Sequence, residues 1–270
     1  MRLKQIAIFI ILVSFFSCER VIDINLNEAN PKIVIEANVH NKREGCLVKI
    51  TRTGSFFKPY TPEIVSNATI TLKNQLTTYT FTENTNGNYS INKIGNLMPT
   101  SYSLSVEIDG ERYDAESTMP VAIPISYIIS EYVTRNIFQD EGYIVNYSFI
   151  DPEDEDNFYR VRYSLNGELQ NDGNDYFLMT DEMFNGKSIQ MQIYGTRFEK
   201  GDTVDVELMS IDKSTYDYFN TFVELIAQNS MESAAPANPK SNFSNGALGY
   251  FSAYSSDKKQ IIVGNPPVKN

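Results

Sequence analysis

The sequence predicts an all-β protein in which an N-terminal Ig-like β-sandwich, residues 32–120, precedes a second β-rich domain, residues 121–263, carrying one amphipathic helix. Short runs of alternating apolar and polar residues recur about every 8–12 residues, the pattern of an Ig-like sandwich. Ser101–Ile108 is the clearest of these runs, since every second residue is apolar. Asp109-Gly110 follows it and predicts a tight hairpin, because both residues tolerate positive φ.

The first domain is predicted to consist of seven short strands, each burying one of its two sides. The segment from Leu97 to Tyr102 resembles the tyrosine corner of such sandwiches. Pro120 and Pro124 bracket the predicted boundary, because proline interrupts strand ladders. The seven strands are predicted at Ile33–Val39, Cys46–Thr53, Ala68–Lys73, Thr78–Glu83, Tyr89–Ile91, Ser101–Ile108 and Arg112–Met119.

The second domain is also predicted to be rich in strands, and it is predicted to close with two separate strands before a loose tail at residues 264–270. The same alternation supports these strands as in the first domain. They are predicted at Ser126–Thr134, Tyr143–Ile150, Phe158–Leu165, Tyr176–Met179, Ser188–Tyr194 and Val204–Ser210, with the closing pair at Ala247–Ser255 and Gln260–Val263.

One helix is predicted near residues 213–229, within the second domain. Asp212 or Ser214 can cap it, and Ser214 with Asp217 has the spacing of a capping box. Four apolar residues recur at helical spacing and are expected to pack on the second sheet. They are Phe219, Phe222, Val223 and Ile226.

The N-terminus predicts export and a lipid anchor. Arg2 and Lys4 precede an apolar run, Ile6–Phe16, which is too short for the roughly 20 residues of a membrane-spanning helix. Residues 1–17 therefore read as a lipoprotein signal peptide that is cut before Cys18, with lipid on its sulfur, and residues 18–31 as a tether. The alternative is an ordinary secretory signal with an incidental cysteine.

Composition restricts the classes of partner and the sources of stability. The chain has 23 basic and 34 acidic residues, so we expect no nucleic-acid partner. Only two cysteines occur. If Cys18 is acylated, Cys46 has no partner for an intramolecular disulfide. Cys46 is then either a buried small apolar residue, the favoured interpretation, or a reactive thiol.

No catalytic or metal-binding constellation stands out, and we predict no catalytic residue, metal site or cofactor. His40 is the only histidine and is expected at a strand end in solvent. The acidic run Asp151–Asp156 is interpreted as a solvated loop, with Ca²⁺ binding as the alternative. Asp181-Glu182 is a second acidic pair, and paired carboxylates leave a hydrolase as the weakest hypothesis.

The best candidate contact surface in the sequence is an aromatic loop. Phe56, Phe57 and Tyr60 lie in a proline-containing stretch between predicted strands. Such side chains either fold back on the sandwich or meet a partner. We treat both as open.

Three stretches in order resemble the Bacteroidota lipoproteins grouped as domain of unknown function 4249. They are Phe16–Glu19 with Val21–Asp23 and Pro31–Glu36; Asp156–Val161; and Pro239–Tyr254. The resemblance implies an envelope lipoprotein, often encoded near outer-membrane TonB-dependent receptors, and it carries over no catalytic residue. It also implies a possible O-glycosylation site at Thr203, since Asp202-Thr203-Val204 meets the pattern of that phylum.

The function expected from these observations is that of a non-enzymatic outer-membrane lipoprotein that binds a partner or ligand and assists a TonB-dependent receptor. The alternative is a structural or adhesive surface module. The residues after Glu19 are Arg20, Val21 and Ile22, which leave the periplasmic and cell-surface leaflets both open.

Overall fold

The computed structural model describes residues 31–42, 46–54, 62–91, 97–135, 140–153, 155–172, 176–229, 237–265 and 268–269. Within these ranges the fold is mostly β with one helix, α1 (Lys213–Asn229), which confirms the predicted all-β class. The strands in chain order are β1 (Ile33–His40), β2 (Leu47–Arg52), β3 (Glu63–Ile64), β4 (Thr69–Lys73), β5 (Thr78–Thr80), β6 (Thr82–Thr85), β7 (Asn88–Ser90), β8 (Ser101–Ile108), β9 (Glu111–Thr118), β10 (Ile125–Val133), β11 (Gly142–Ile150), β12 (Phe158–Leu165), β13 (Glu168–Leu169), β14 (Phe177–Thr180), β15 (Ser188–Gln192), β16 (Thr203–Ile211), β17 (Leu248–Ile262) and β18 (Val268–Lys269).

The largest sheet has ten strands. Eight of them follow the order β13-β12-β16-β17-β1-β2-β7-β6, while β14 pairs with β12 and β3 pairs with β2. Two four-stranded sheets, β5-β4-β8-β9 and β15-β11-β10-β18, supply the facing layers. Each small sheet shares a buried apolar cluster with one half of the large sheet. The large sheet therefore has an inner face with two cores and an outer face that carries α1.

Strand β1 shows how the sequence places these faces. Its residues alternate between buried and half-buried along the whole strand. Ile33, Ile35, Ala37 and Val39 enter the first core, because alternate side chains of a strand point to opposite faces. The residues between them therefore lie on the outer face.

The closing segment is one strand, and the prediction of two closing strands is wrong. β17 runs for 15 residues without a break. Its first part pairs in parallel with β1, from Val34↔Leu248 to His40↔Tyr254. Its second part pairs antiparallel with β16, from Ser210↔Ser255 to Thr203↔Ile262. The polar residues 256–259, which lie between the two predicted strands, occupy ladder positions opposite β16.

The C-terminal part of the chain also contributes to the first core. Phe243, Ala247, Phe251 and Ala253 belong to the same buried cluster as the β1 side chains. The short strand β18 pairs with Tyr127 and Ile128 and lies within the stretch expected to be a loose tail.

Two local predictions in the first half are confirmed. Asp109 and Gly110 have φ values of 53° and 82°, as the β8–β9 hairpin requires. The Tyr102 hydroxyl donates a hydrogen bond to the Met98 carbonyl oxygen at 2.8 Å, which is the bond expected of the predicted tyrosine corner.

Helix α1 has the predicted bounds, but its first turn differs in detail. Asp212 is the cap, since its Oδ1 accepts hydrogen bonds from the Thr215 backbone N–H at 2.9 Å and the Ser214 hydroxyl at 3.0 Å. The predicted Ser214–Asp217 capping box does not form, because the Asp217 carboxylate binds Lys213 and Lys240 instead. Within the described ranges, no helix combines the length and apolar character needed to cross a bilayer.

Candidate functional site

Several predicted site residues lie outside the part of the chain that the structure describes. These are the lipidation candidate Cys18 and the contact candidates Phe56, Phe57 and Tyr60. Thr203, the glycosylation candidate, is described and begins β16 with a half-buried side chain. Its backbone N–H donates to Asn166 Oδ1 at 2.9 Å, and the neighbouring Asp202 carboxylate accepts from the Glu199 backbone N–H at 2.9 Å.

The acidic run is only partly the solvated loop that was predicted. Asp151 is 2% exposed and accepts hydrogen bonds from the Tyr159 hydroxyl at 2.5 Å and the Gly186 backbone N–H at 3.0 Å. Burial and the adjacent Asp151 charge raise the pKa of Tyr159. Asp156 is exposed, as predicted.

The second acidic pair contains another buried carboxylate with a local task. Asp181 accepts a hydrogen bond from the Asn157 backbone N–H at 2.9 Å. Among the described residues, no group of three or more histidine, cysteine, aspartate or glutamate side chains is placed to hold a metal ion.

The structure confirms the prediction for Cys46 and contradicts the prediction for His40. Cys46 is fully buried in the first core, which confirms the favoured interpretation, and burial raises the pKa of its thiol. His40 ends β1, but the expectation of a solvent-exposed side chain is wrong. It is half-buried, with its ring centroid 5.6 Å from that of Tyr254 and its Nδ1 accepting from the Lys42 backbone N–H.

The most unusual site lies on the outer face of the large sheet, under α1. In β12, Tyr159, Val161 and Tyr163 enter the second core. Arg160 and Arg162 therefore point to the opposite face. There Arg160 is only 8% exposed, because the ring of Phe219 from α1 covers it.

Aromatic rings surround the Arg160 guanidinium. Its central carbon lies 3.9 Å from the centroid of the Phe219 ring and 5.1 Å from that of Tyr176. Tyr250, from β17, continues the cluster, with its centroid 4.8 Å from those of Phe219 and Tyr218. Contacts between a cation and ring faces stabilise the charge in place of water. We call these residues, with Arg162 and Ser252, the arginine cluster.

Arg160 has no counter-ion in the described structure. None of the ion pairs between described residues involves it. Its Nε is buried without a hydrogen-bond partner in the same part of the chain. Burial lowers the pKa of Arg160, and the neighbouring Arg162 charge acts in the same direction.

Arg162, by contrast, has its own carboxylate. Its Nη2 lies 2.7 Å from Glu207 Oε2, and Glu207 also accepts a hydrogen bond from the Ser256 hydroxyl at 2.7 Å. Lys42 approaches the same carboxylate at 3.6 Å. Burial favours the neutral acid, but the charge of Arg162 outweighs it and lowers the pKa of Glu207. Glu207 is thus engaged by Arg162 and Lys42, and it forms no ion pair with Arg160.

Two further donors on this face are without partners among the described residues. The Nε of Arg162 and the hydroxyl of Ser252 are buried, and neither makes a hydrogen bond there. Ser252 lies opposite Asn38 in the β1–β17 ladder, one alternate position from Tyr250. Buried donors normally have partners, so this face has an excess of donors and positive charge.

A pocket of about 280 Å³ adjoins the arginine cluster on the same face. Tyr218 of α1 belongs to both, since it lines the pocket and contacts Tyr250. Phe222 lines the pocket and contacts Tyr176 of the cluster. The other lining is mainly apolar, from the start of β1 and β17 and from the end of α1. It includes Val34, Leu225, Ile226, Pro239 and Leu248.

Sequence reasoning missed the arginine cluster, although part of its signal was visible. The alternation in Phe158–Tyr163 places Arg160 and Arg162 on one side of the strand. Nothing local shows that a helix more than 50 residues later covers that side. A sandwich strand ordinarily exposes such a side to water.

Comparison with known proteins gives a family but no described activity. A search of curated proteins finds no match to this chain. A family model described as Domain of unknown function (DUF4249) matches residues 19–260. Because this match covers most of the chain, the protein belongs to that family of domains of unknown function.

Proposed function

We propose that the protein is a non-enzymatic outer-membrane lipoprotein of the Bacteroidota that is anchored through acylated Cys18 and binds a ligand or partner. Its binding role assists a TonB-dependent receptor, as the resemblance implies. The family match begins at residue 19, directly after Cys18, which supports a mature chain that starts at this cysteine.

The binding role depends on one observation in particular. Arg160 is buried on the outer face of the large sheet, and the described residues supply it with no carboxylate. A buried charge without a partner is unfavourable for folding alone. A ligand that completes the cluster supplies a reason for the arrangement.

The structural roles of three carboxylates, two of them buried, support a non-enzymatic function. Both oxygens of Asp151 accept hydrogen bonds within the fold. Asp181 supports the Asn157 backbone, and Asp212 caps α1. A general acid or base must reach a substrate proton, and these side chains are engaged in local structure.

Metabolic labelling with an alkyne-modified palmitate tests the anchor. We expect label on the wild-type protein and on Cys46→Ala, and none on Cys18→Ala. Cys46 is the matched control, because it is the other cysteine and is buried. Equal labelling of Cys18→Ala and wild type would overturn the anchor.

Co-purification from detergent-solubilised envelopes tests the receptor role. An affinity-tagged wild-type protein should recover a TonB-dependent receptor, identified by mass spectrometry. Cys18→Ala, produced in the same cells, controls for membrane attachment. Recovery of the anchored protein alone would contradict the receptor role while leaving the anchor intact.

The continuous strand β17 favours one second candidate, a structural spacer at the cell surface. It hydrogen-bonds to β1 at one end and β16 at the other, so a single element links both cores. Protease treatment of intact cells tests this candidate. A spacer at the surface is cleaved, whereas full protection of the protein would exclude it.

A further inference from the structure

We propose that Arg160 is the central residue of an oxyanion-binding site beneath α1, where Arg162 and Ser252 supply further donors to a ligand that carries a carboxylate or phosphate group. This inference rests on the proposed binding role and names its ligand class. Oxyanion binding at this site requires neither the lipid anchor nor the receptor.

The charge balance of the cluster selects an anion. Two arginines lie side by side on the outer face of β12, and Glu207 is bound to Arg162. Arg160 is left as a buried cation whose surroundings in the described structure are aromatic rings. A metal cation would add to the positive charge, and a neutral ligand would leave it uncompensated.

The donors of the cluster are of the kind that binds an oxyanion. A guanidinium presents its N–H groups in a planar fork that matches the oxygens of carboxylate or phosphate. Phe219 and Tyr176 pack on the guanidinium and fix its plane. The buried Arg162 Nε and the Ser252 hydroxyl are two more donors without partners in the described ranges.

The adjoining pocket gives room for the rest of the ligand. Tyr218 lines the pocket and contacts Tyr250 of the arginine cluster. Because the pocket is lined by Val34, Phe222 and Leu248, an apolar portion would be favoured there. A small free anion and an amphiphile with an apolar portion carry the same carboxylate or phosphate group for Arg160 to bind.

Isothermal titration calorimetry on the purified mature chain tests the site with two probes, inorganic phosphate and decanoate. Decanol is the neutral control for decanoate. We expect at least one anionic probe to bind the wild type, and decanoate to bind at least tenfold more tightly than phosphate if the pocket takes part. Failure of both anions to bind would overturn the proposal.

Three variants attribute the binding to Arg160. Arg160→Met removes the charge and keeps an unbranched side chain, and Arg160→Lys keeps the charge without the fork. Both should weaken anion binding at least tenfold. Arg112→Met makes the same charge change at an exposed site and should bind as the wild type does. Equal affinity of Arg160→Met and the wild type would contradict the site.

Thermal unfolding separates recognition from a structural role. Without a probe, Arg160→Met should melt at or above the wild-type temperature, because it removes an unpaired buried charge. The binding anion should raise the melting temperature of the wild type and of Arg112→Met, and leave that of Arg160→Met unchanged. A lower melting temperature for Arg160→Met without a probe, together with anion stabilisation equal to that of the wild type, would overturn the proposal.

Discussion

The backbone of Gly249 packs directly against that of Ile35. A Cβ built on Gly249 would lie 2.1 Å from the Ile35 carbonyl oxygen, and Gly249 has a φ of +93°. These two residues are partners in the parallel β1–β17 ladder. The C-terminal strand can thus join the first core only where a residue without a side chain allows this approach.

Gly249→Ala should prevent this approach. The added methyl group overlaps backbone atoms, which cannot move aside as a flexible side chain does, and the positive φ adds strain. We expect a loss of about 3 kcal/mol or more in the free energy of unfolding, or failure to fold. Urea denaturation followed by circular dichroism measures this loss.

Gly246→Ala is the matched control for that prediction. Gly246 also has a positive φ, +72°, but a Cβ there would meet no atom within 4 Å. Only backbone strain applies, so we expect a loss of about 1–2 kcal/mol. Similar losses in the two variants would show that the contact with Ile35 is unimportant.

The side chain of Asn242 takes the place of a neighbouring strand beside β17. Its Oδ1 accepts from the Phe251 backbone N–H at 2.9 Å, and its Nδ2 donates to the Phe251 carbonyl at 2.8 Å. Phe251 is fully buried. Asn242→Ala should therefore cost about 2–4 kcal/mol of stability, since two buried backbone groups lose their partners.

Asn84→Ala provides the comparison for Asn242→Ala in the same urea experiment. Asn84 Nδ2 donates to the Ser90 hydroxyl at 2.7 Å in an exposed position, where water replaces the bond. Its loss should be below about 0.5 kcal/mol. A loss at Asn242 as small as this would refute the bridging role.

The alternation of apolar and polar residues predicted the strands well wherever one side of a strand is buried. Ser101–Ile108 and Phe158–Leu165 have the predicted bounds, because alternation directly records burial. The capping carboxylate and the apolar spacing likewise located α1. These features depend on residues that are close together in the sequence.

Features set by distant pairing were not predictable in this way. The polar stretch 256–259 hid the continuity of β17, because its partners in β16 lie about 50 residues earlier. Similarly, the alternation in β12 specifies the face on which Arg160 lies but not what covers that face. The contact with Phe219 depends on where α1 packs.

The Glu207 carboxylate should make stability depend on pH. Burial opposes its ionisation, yet Arg162 and the Ser256 hydroxyl hold its pKa below the ordinary value of 4.5. A depressed pKa stabilises the folded state above the unfolded pKa, and this stabilisation disappears as pH falls through the folded value. Glu207→Gln should thus lose about 1–3 kcal/mol at pH 7.

Urea denaturation between pH 3 and 7 checks this prediction. The difference between wild type and Glu207→Gln should begin to narrow below about pH 4.5, where the carboxyl of the unfolded chain takes up a proton, and should close as the pH falls through the lower folded-state pKa. Glu63→Gln removes an exposed carboxylate that pairs with Arg52 at 3.1 Å and should change stability by less than about 1 kcal/mol. A pH-independent difference for Glu207→Gln would contradict the assignment.

The Tyr159 hydroxyl is predicted to matter more for stability than that of Tyr102, although both tyrosines are buried. Tyr159 donates to the buried Asp151 carboxylate, whereas Tyr102 donates to the Met98 carbonyl. Because Tyr159→Phe leaves one oxygen of a buried acid unpaired, we expect a loss of about 2–3 kcal/mol, against about 1 kcal/mol for Tyr102→Phe. Urea denaturation at pH 7 compares the two, and an equal or larger loss for Tyr102→Phe would mean that water replaces the Tyr159 bond to Asp151.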